Sequence, residues 1–447
     1  QAHAGTRDLD SSLVGSEMCI RDSCNDEDSA FWSDPDADGT GGTGGGDGTN
    51  GGGSGGGSGT GNPGSLGVAA MIWAEAAGNV GFDNTLMNGA GTIAVFMASS
   101  DPLGTNPTGD KQLFSIAVGD PAPTQLTTGP GNGFRSTDDF DIDANGTLVV
   151  FVSSEDITGD NPTLTPNLFA ASTDGSGVLQ VTSLTSGSIG DPSVSGDGST
   201  IYFTSSSDLT GGNPVNDTQI FSIAPDGTNL RQVTTGVTAA QQVEVADNAN
   251  KLVWVDTSDP LGTNADGSQE IFAMNADGTN FMQLTMSAGN SITPRISDDG
   301  AYVVFTSTGE FSAGSNADGL LEVYVVNTDG SGITRITDSN DDSGLRFNGT
   351  APAVDISGDG QWITFMSYGD FSGLNSGGSY TVFWASRDGM QVQQQLRVET
   401  VPDGVTSRFA EVPRMSDDGS RIMFSALAPF SDGAPESGWK LFLHDRL

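Results

Sequence analysis

Cysteine and histidine are almost absent from this chain of 447 residues. The two cysteines are Cys19 and Cys24, and the two histidines are His3 and His444. Two cysteines close to one end exclude a disulfide framework and a thiolate metal centre, and two distant histidines leave too few ligands for a histidine-based zinc site. Because a Ser-His-Asp triad needs a histidine that the fold places beside the nucleophile, only His444 could serve. The sequence therefore predicts that the chain is not an enzyme.

Basic residues are also scarce, with 16 Lys and Arg against 57 Asp and Glu, a formal net charge of −41. A surface of this sign repels phosphate backbones and anionic lipid surfaces, so we expect no nucleic-acid partner. The chain also lacks a run of about 20 apolar residues, the length of a membrane-spanning helix. What it has in quantity is glycine, 64 residues, while aromatic residues make up only 7%. This composition indicates a protein rich in strands and turns.

The N-terminal part of the chain differs from the rest. Residues 1–23 include a stretch that reads as translated adapter sequence, so we expect them to be non-native or unstructured. Residues 24–67 form an acidic, Gly/Ser-rich tether that cannot bury enough apolar surface to fold. A cysteine followed by such a tether resembles the mature start of a bacterial lipoprotein, in which Cys24 would be the lipid anchor. The alternative is a free cysteine in an unstructured tail.

Residues 68–447 contain the same short pattern seven times. Each copy has an aromatic residue within an apolar run, and the copies are 51 to 60 residues apart. A glycine stands five residues before the aromatic in every copy except one, where Ala249 replaces it. Glycine at that point allows the positive φ of a tight hairpin turn. The seven aromatic residues are Phe96, Phe151, Phe203, Trp254, Phe305, Phe365 and Phe424.

Copies one to six continue with a polar loop, a second apolar strand such as "TQIFSIA", a turn and a last short strand; the turn is Asp-Gly in copies two to six and Gly119-Asp120 in copy one. This order predicts an all-β fold, a seven-bladed β-propeller of four-stranded antiparallel blades. The seventh copy ends after its third strand. We expect Val68–Ala76 to supply the missing outer strand beside Lys440–His444, which would close the ring and remove an open edge.

The segments "SDDG…VVF" and "EIF…NADGTN…QLT" resemble the propeller repeat of TolB and related bacterial envelope proteins, a WD-like repeat. The resemblance covers Val68 to Leu447. It implies a propeller fold, a binding role and a periplasmic or cell-surface location. TolB has a six-bladed ring and an additional N-terminal α/β domain, whereas this chain has seven copies and a tether, so the resemblance does not identify the partner.

In such a blade the loops between the second and third strands (B–C) and between blades (D–A) lie on one face, and both are long here. Binding residues are expected on this long-loop face, because loops on a rigid scaffold commonly provide function. The B–C loops repeat the pattern D-x-x-G-x-N, whose side-chain oxygens could bind calcium. They could equally cap the loop backbone. We therefore expect no cofactor, with calcium as the alternative.

Three D–A loops contain an arginine beside a phenylalanine, although basic residues are few. Arg and aromatic side chains are enriched as anchors of protein interfaces. Alternatively, each phenylalanine packs under its loop and each arginine pairs with an aspartate. The candidate binding residues are Phe134, Arg135, Arg346, Phe347, Arg408 and Phe409.

The innermost strands have an unusual number of charged residues at equivalent positions. Period-2 alternation places Leu86, Asp141, Ser193, Glu244, Arg295, Asp355 and Arg414 on one side of these strands. We expect Glu244 to pair with Arg295, and Asp355 to lie near Arg295 and Arg414, because unpaired buried charge is costly.

These observations predict a binding propeller of the bacterial cell envelope that presents its long loops to a protein or peptide partner. The alternative is a carbohydrate-active enzyme with paired carboxylates on the long-loop face, since glycoside hydrolysis needs two carboxyl groups across a cleft.

Overall fold

The structure is a computed structural model. It describes residues 70–74, 84–99, 103–106, 109–129, 140–248, 251–339, 354–371, 381–395, 410–426 and 440–446, with the backbone alone at 70–74 and 410–412. All of these residues belong to one compact unit, Asn62–Leu447. Because the first described residue is Ala70, the predicted segments 1–23 and 24–67 lie outside the described residues.

The described strands form seven four-stranded antiparallel sheets, and in each sheet the strands follow one another as A, B, C and D. Blade 1 consists of β2 (Thr85–Met87), β3 (Ile93–Ala98), β4 (Gln112–Ala117) and β5 (Thr124–Gln125). Blade 2 consists of β6 (Phe140–Ile142), β7 (Leu148–Ser153), β8 (Asn167–Ser172) and β9 (Val178–Gln180). Blade 3 consists of β10 (Ile189–Val194), β11 (Ile201–Ser205), β12 (Gln219–Ile223) and β13 (Arg231–Gln232). Blade 4 consists of β14 (Gln241–Val245), β15 (Lys251–Asp256), β16 (Glu270–Asn275) and β17 (Met282–Gln283).

The remaining three blades have the same order. Blade 5 consists of β18 (Ser291–Ile296), β19 (Tyr302–Ser307), β20 (Glu322–Asn327) and β21 (Thr334–Arg335). Blade 6 consists of β22 (Val354–Ile356), β23 (Trp362–Ser367), β24 (Thr381–Ser386) and β25 (Val392–Gln394). Blade 7 consists of β26 (Ala410–Met415), β27 (Arg421–Ala426), β28 (Lys440–Asp445) and, as its D strand, β1 (Ala70–Ala74).

The repeated aromatic residues form the centre of each blade. The aromatic residue of strand B faces that of strand C across the ladder, and the two rings stack, as Phe203 does on Phe221 with centroids 5.8 Å apart. Both rings are fully buried. Strands B and C are apolar on both faces because each sheet is covered by a neighbouring blade on either side. The hydrophobic core is accordingly divided into clusters between adjacent blades.

The repeated glycine forms the tight A–B turn. Gly198, for example, has φ +70°, a left-handed conformation that a residue with a side chain rarely adopts. Its amide N–H donates to the carbonyl oxygen of Ser195 at 2.7 Å. The exception predicted at Ala249 lies outside the described residues.

The ring closes as the sequence predicts. Each innermost strand contacts the innermost strands of both neighbouring blades, in the order β2, β6, β10, β14, β18, β22, β26 and back to β2. Strand β1 pairs antiparallel with β28, with Ala70 opposite Leu443 and Ala74 opposite Lys440. The seven-bladed propeller, with its last blade completed by an N-terminal strand, is therefore confirmed. No helix long and apolar enough to cross a membrane occurs in the described part of the chain.

Candidate functional site

The seven innermost strands surround a narrow axial channel with a volume of about 120 Å³. It has room for only a few water molecules. The seven residues that period-2 alternation assigned to one side of the A strands all border the channel. The residues that follow them, such as Val194, Val245 and Ile356, also pack into the clusters between blades. One side of strand A is thus mostly polar at the channel, whereas the residues that follow border the channel and also belong to the apolar core between blades.

Polar side chains of strand A join blade 2 to blade 3, blade 3 to blade 4 and blade 6 to blade 7. The Asp141 carboxylate accepts the backbone N–H of Val194 at 2.8 Å, and Asp355 accepts that of Met415 at 2.8 Å. The Ser193 hydroxyl accepts the N–H of Val245 at 3.1 Å. These three bonds repeat one geometry, in which a side chain of one blade binds the backbone of the next blade, so they stabilise the order of the ring.

The predicted charge pair between blades 4 and 5 is present. The carboxylate of Glu244 and the guanidinium of Arg295 form an ion pair, and both side chains are half-buried. Asp355 borders the same channel as Arg295 and Arg414, and its carboxylate accepts a backbone N–H of the next blade. A direct pairing of Asp355 with either arginine stays a prediction.

The A–B turns form a second ring at one end of the channel. The turn residue two positions before the repeated glycine makes backbone hydrogen bonds to the adjacent blade. The amide of Asp417 donates to Gly89 at 2.8 Å, the amide of Gly358 donates to Asp417 at 2.8 Å, and the amide of Asn248 donates to Asp298 at 2.9 Å. Because these bonds draw the turns together, side chains at this turn position meet at the axis.

Three of the seven side chains at that turn position are aspartates. Asp247, Asp298 and Asp417 each place a carboxylate oxygen within 4.8 Å of the other two, and we call them the axial acid cluster. The other four blades have a small residue there, and a Cβ atom at three of them would collide with an aspartate of the cluster. The equivalent small residues are Gly89, Ala144, Gly196 and Gly358.

Burial and mutual repulsion shift the pKa values of the axial acid cluster. Burial, followed by the charges of Asp417 and other carboxylates, raises the pKa of Asp247 to about 7. Burial and the neighbouring Asp417 and Asp247 charges raise the pKa of Asp298 to about 8. Burial and Asp355 raise the pKa of Asp417 as well. At neutral pH these carboxyl groups therefore share protons, since close carboxylates do not all ionise together.

The axial acid cluster is not apparent from the linear sequence. Its members are separated by 51 and 119 residues, and each lies in a turn that reads as a purely local motif. Alignment of the turns on their glycine shows the signal, because aspartate occupies a position where four blades have glycine or alanine. Within the described residues this is the one group of His, Cys, Asp and Glu side chains close enough to share a cation. The short distances between the three carboxylates are the only feature that would favour a cation at the axial acid cluster, and we assign no metal site to it.

The described B–C loops are fixed by their own side chains. The first aspartate of the D-x-x-G-x-N pattern accepts the backbone N–H of the final asparagine, as in Asp156 to Asn161 at 2.8 Å and Asp259 to Asn264 at 2.8 Å. The amide of that asparagine donates to a carbonyl four residues later. These contacts are backbone caps, one of the two interpretations of the D-x-x-G-x-N pattern given above. The expectation of no cofactor, with calcium as its alternative, stays a prediction.

Apolar side chains project from this fixed long-loop face. Nine large apolar residues are exposed in the described part of the chain, and five of them lie on B–C or D–A loops of blades 1 to 4. Val215 is 71% exposed, Met286 60% and Leu164 59%. The other two are Leu103 and Leu261.

The predicted binding residues of the D–A loops lie outside the described residues, and so does Cys24. They remain predictions. These residues are Phe134, Arg135, Arg346, Phe347, Arg408 and Phe409.

No family model and no curated protein matches the sequence. Among solved structures, the oligogalacturonate lyase of Vibrio parahaemolyticus is similar with a TM-score of 0.52 and 11% identity, covering 84% of this chain and 91% of the lyase. A puromycin-hydrolysing peptidase of Mycobacterium tuberculosis is similar with a TM-score of 0.52 and 13% identity, covering 78% of this chain and 49% of the peptidase. TolB from Acinetobacter baumannii is similar with a TM-score of 0.43 and 13% identity, covering 69% of this chain and 64% of TolB.

The prediction that the chain is not an enzyme is corrected by these comparisons. The lyase and the peptidase are enzymes, and both share the propeller fold with this chain. A shortage of histidine excludes some catalytic sites but not others, and a fold by itself does not decide function. Whether this chain is an enzyme is therefore open. Structures of TolB are among those similar to the chain, and the likeness to all of these solved structures is a likeness of fold.

Proposed function

We propose that this chain is a binding propeller of the bacterial cell envelope and that its long-loop face binds a protein or peptide partner. The observation that supports this most is the set of exposed apolar side chains on B–C and D–A loops of consecutive blades. Exposed apolar residues that share one surface are typical of interaction sites. Because capped loops lose little conformational entropy on binding, such a face is well suited to bind a partner.

The charge of the chain favours the same class of partner. With a net charge of −41, the protein repels polyanions, so a neutral or basic polypeptide is the partner that its electrostatics favour. The envelope location is supported by the resemblance of the repeat and of the Cys24 segment to bacterial envelope proteins. Metabolic labelling with a fatty acid tests the lipid anchor, because a Cys24→Ser variant should lose the label.

The binding face is tested by two matched triple variants. In the first, Leu164, Val215 and Leu261 of the long-loop face are replaced by serine. In the second, the exposed apolar residues Val118, Leu230 and Met390 are replaced by serine. These three lie in C–D turns on the opposite face.

Wild-type and variant proteins are immobilised, and proteins captured from bacterial envelope extract are identified by mass spectrometry. We expect the wild type and the C–D turn variant to capture a common protein that the long-loop variant does not capture. Equal capture by both variants would contradict binding at the long-loop face.

Polysaccharide cleavage is the second candidate function. It is supported by the fold shared with the oligogalacturonate lyase and would use paired carboxylates on the long-loop face. The axial acid cluster is at the opposite end, beside a channel of about 120 Å³ that is too small for a sugar chain. Release of new reducing or unsaturated ends from polygalacturonate would favour this function over simple binding.

A further inference from the structure

We propose that the axial acid cluster is a proton-dependent clasp, which holds blades 4, 5 and 7 together at the A–B turn end of the channel when its carboxyl groups share protons and loosens when all three ionise. This inference concerns the ring itself and does not depend on the proposed function.

The axial acid cluster lies within the hydrogen bonds that join neighbouring blades. Asp417 donates its amide to Gly89 of blade 1 and accepts the amide of Gly358 of blade 6 with its carbonyl, each at 2.8 Å. The carbonyl of Asp298 in blade 5 accepts the amide of Asn248 in blade 4 at 2.9 Å. Repulsion between the three carboxylates therefore acts directly on residues whose backbone joins the blades.

The surroundings of the axial acid cluster are themselves mostly acidic. Six carboxyl groups and two guanidinium groups border the channel, and Arg295 already pairs with Glu244. The charged groups that face the cluster from the surrounding strands and turns are Asp141, Asp143, Asp197, Glu244, Arg295, Asp355, Arg414 and Asp418. Most of them are acidic, so full ionisation of the cluster adds negative charge to a region that is already negative.

The carboxyl groups of the axial acid cluster titrate at higher pH in the folded protein than in the unfolded chain. Carboxyl groups in the unfolded chain have pKa values of about 4, whereas burial and neighbouring carboxylates raise those of Asp247 and Asp298 to about 7 and about 8. Between about pH 4 and pH 8, the folded state therefore binds more protons than the unfolded state. The contribution of the cluster to stability is complete below about pH 4 and is lost as the pH rises through about 7 to 8.

Exposed turn aspartates titrate in a different range. Hydrogen bonds from Thr279, for example, lower the pKa of Asp277 below its usual value, so its effect on stability appears at more acidic pH. The range between about pH 5.5 and 8.5 thus reports on groups with raised pKa values.

Hydrogen exchange of the turn amides tests the clasp. The amides of Asn248, Gly358 and Asp417 bond across blades, whereas those of Gly300 and Gly419 bond within their own turns. Between about pH 5.5 and 8.5 we expect the protection factors of the inter-blade amides to fall by about tenfold or more. Those of the intra-turn amides should stay nearly constant, which controls for the intrinsic pH dependence of exchange.

Asp298→Asn imitates the protonated carboxyl group and should abolish most of this fall, and Asp247→Asn provides a second, independent variant. Asp160→Asn removes an exposed charge and should leave the profile as in the wild type. An equal fall at both sets of amides, or an unchanged profile in both cluster variants, would overturn the proposal.

Discussion

Glu244 of blade 4 and Arg295 of blade 5 form an ion pair across two neighbouring blades beside the axis of the ring. The two residues are 51 positions apart in the sequence and occupy the same position in consecutive copies of the repeat. The ion pair therefore forms only because the copies stack around an axis. It shows that the innermost strands of blades 4 and 5 lie close enough for their side chains to meet.

Arg295→Met should destabilise the ring, because it leaves the Glu244 carboxylate half-buried without its counter-charge. We expect the free energy of unfolding to fall by roughly 1–3 kcal/mol, measured by urea denaturation at constant pH. Arg335→Met is the matched control, since Arg335 pairs with a largely exposed aspartate, Asp338, and such pairs contribute about 0–1 kcal/mol. Equal losses in the two variants would contradict a specific inter-blade role for Arg295.

Deletion of residues 68–76 should destabilise the propeller by several kcal/mol, because it removes β1 and exposes the edge of β28. The control is a deletion of equal length within the Gly/Ser tether, which should leave the melting temperature unchanged. If both deletions gave the same melting temperature as the full chain, β1 would not be needed for closure.

Phe203→Ala should be among the most damaging single changes, because Phe203 is fully buried and stacks on Phe221. The loss of the buried ring and the cavity left behind should cost roughly 3–5 kcal/mol. Val215→Ala is the control, since Val215 is 71% exposed and should change stability by about 0.5 kcal/mol or less. Chemical denaturation measures both, and a small effect at Phe203 would be inconsistent with the close packing of blade 3.

Asp259→Ala should loosen the B–C loop of blade 4, because its carboxylate accepts the amide of Asn264. We expect a loss of about 1 kcal/mol, with Asp160→Ala near zero as the control. Addition of Ca²⁺ should leave the melting temperature of the wild type unchanged if the aspartate is only a cap. A rise with Ca²⁺ that Asp259→Ala abolishes would favour the calcium interpretation instead.

The sequence was sufficient to predict the seven blades because each copy repeats its own local signals, a turn glycine and two apolar strands with a central aromatic residue. Ring closure could be predicted because a missing strand at one end matched an unassigned strand at the other. The axial acid cluster could not be predicted from the sequence, because only the curvature of the ring brings Asp247, Asp298 and Asp417 together. The hydrogen bond from the Met415 amide to Asp355 could not be predicted for a related reason, because charge pattern alone does not show whether a carboxylate reaches a neighbouring backbone amide.

The central claim is that the long-loop face binds a partner, and hydrogen exchange of the protein with and without its captured partner tests it most directly. We predict that the partner protects amides of the B–C loops, among them those within 156–161 and 259–264, and leaves the C–D turns near Met390 unchanged. Protection confined to the A–B and C–D turns, with the B–C loops unaffected, would contradict the account.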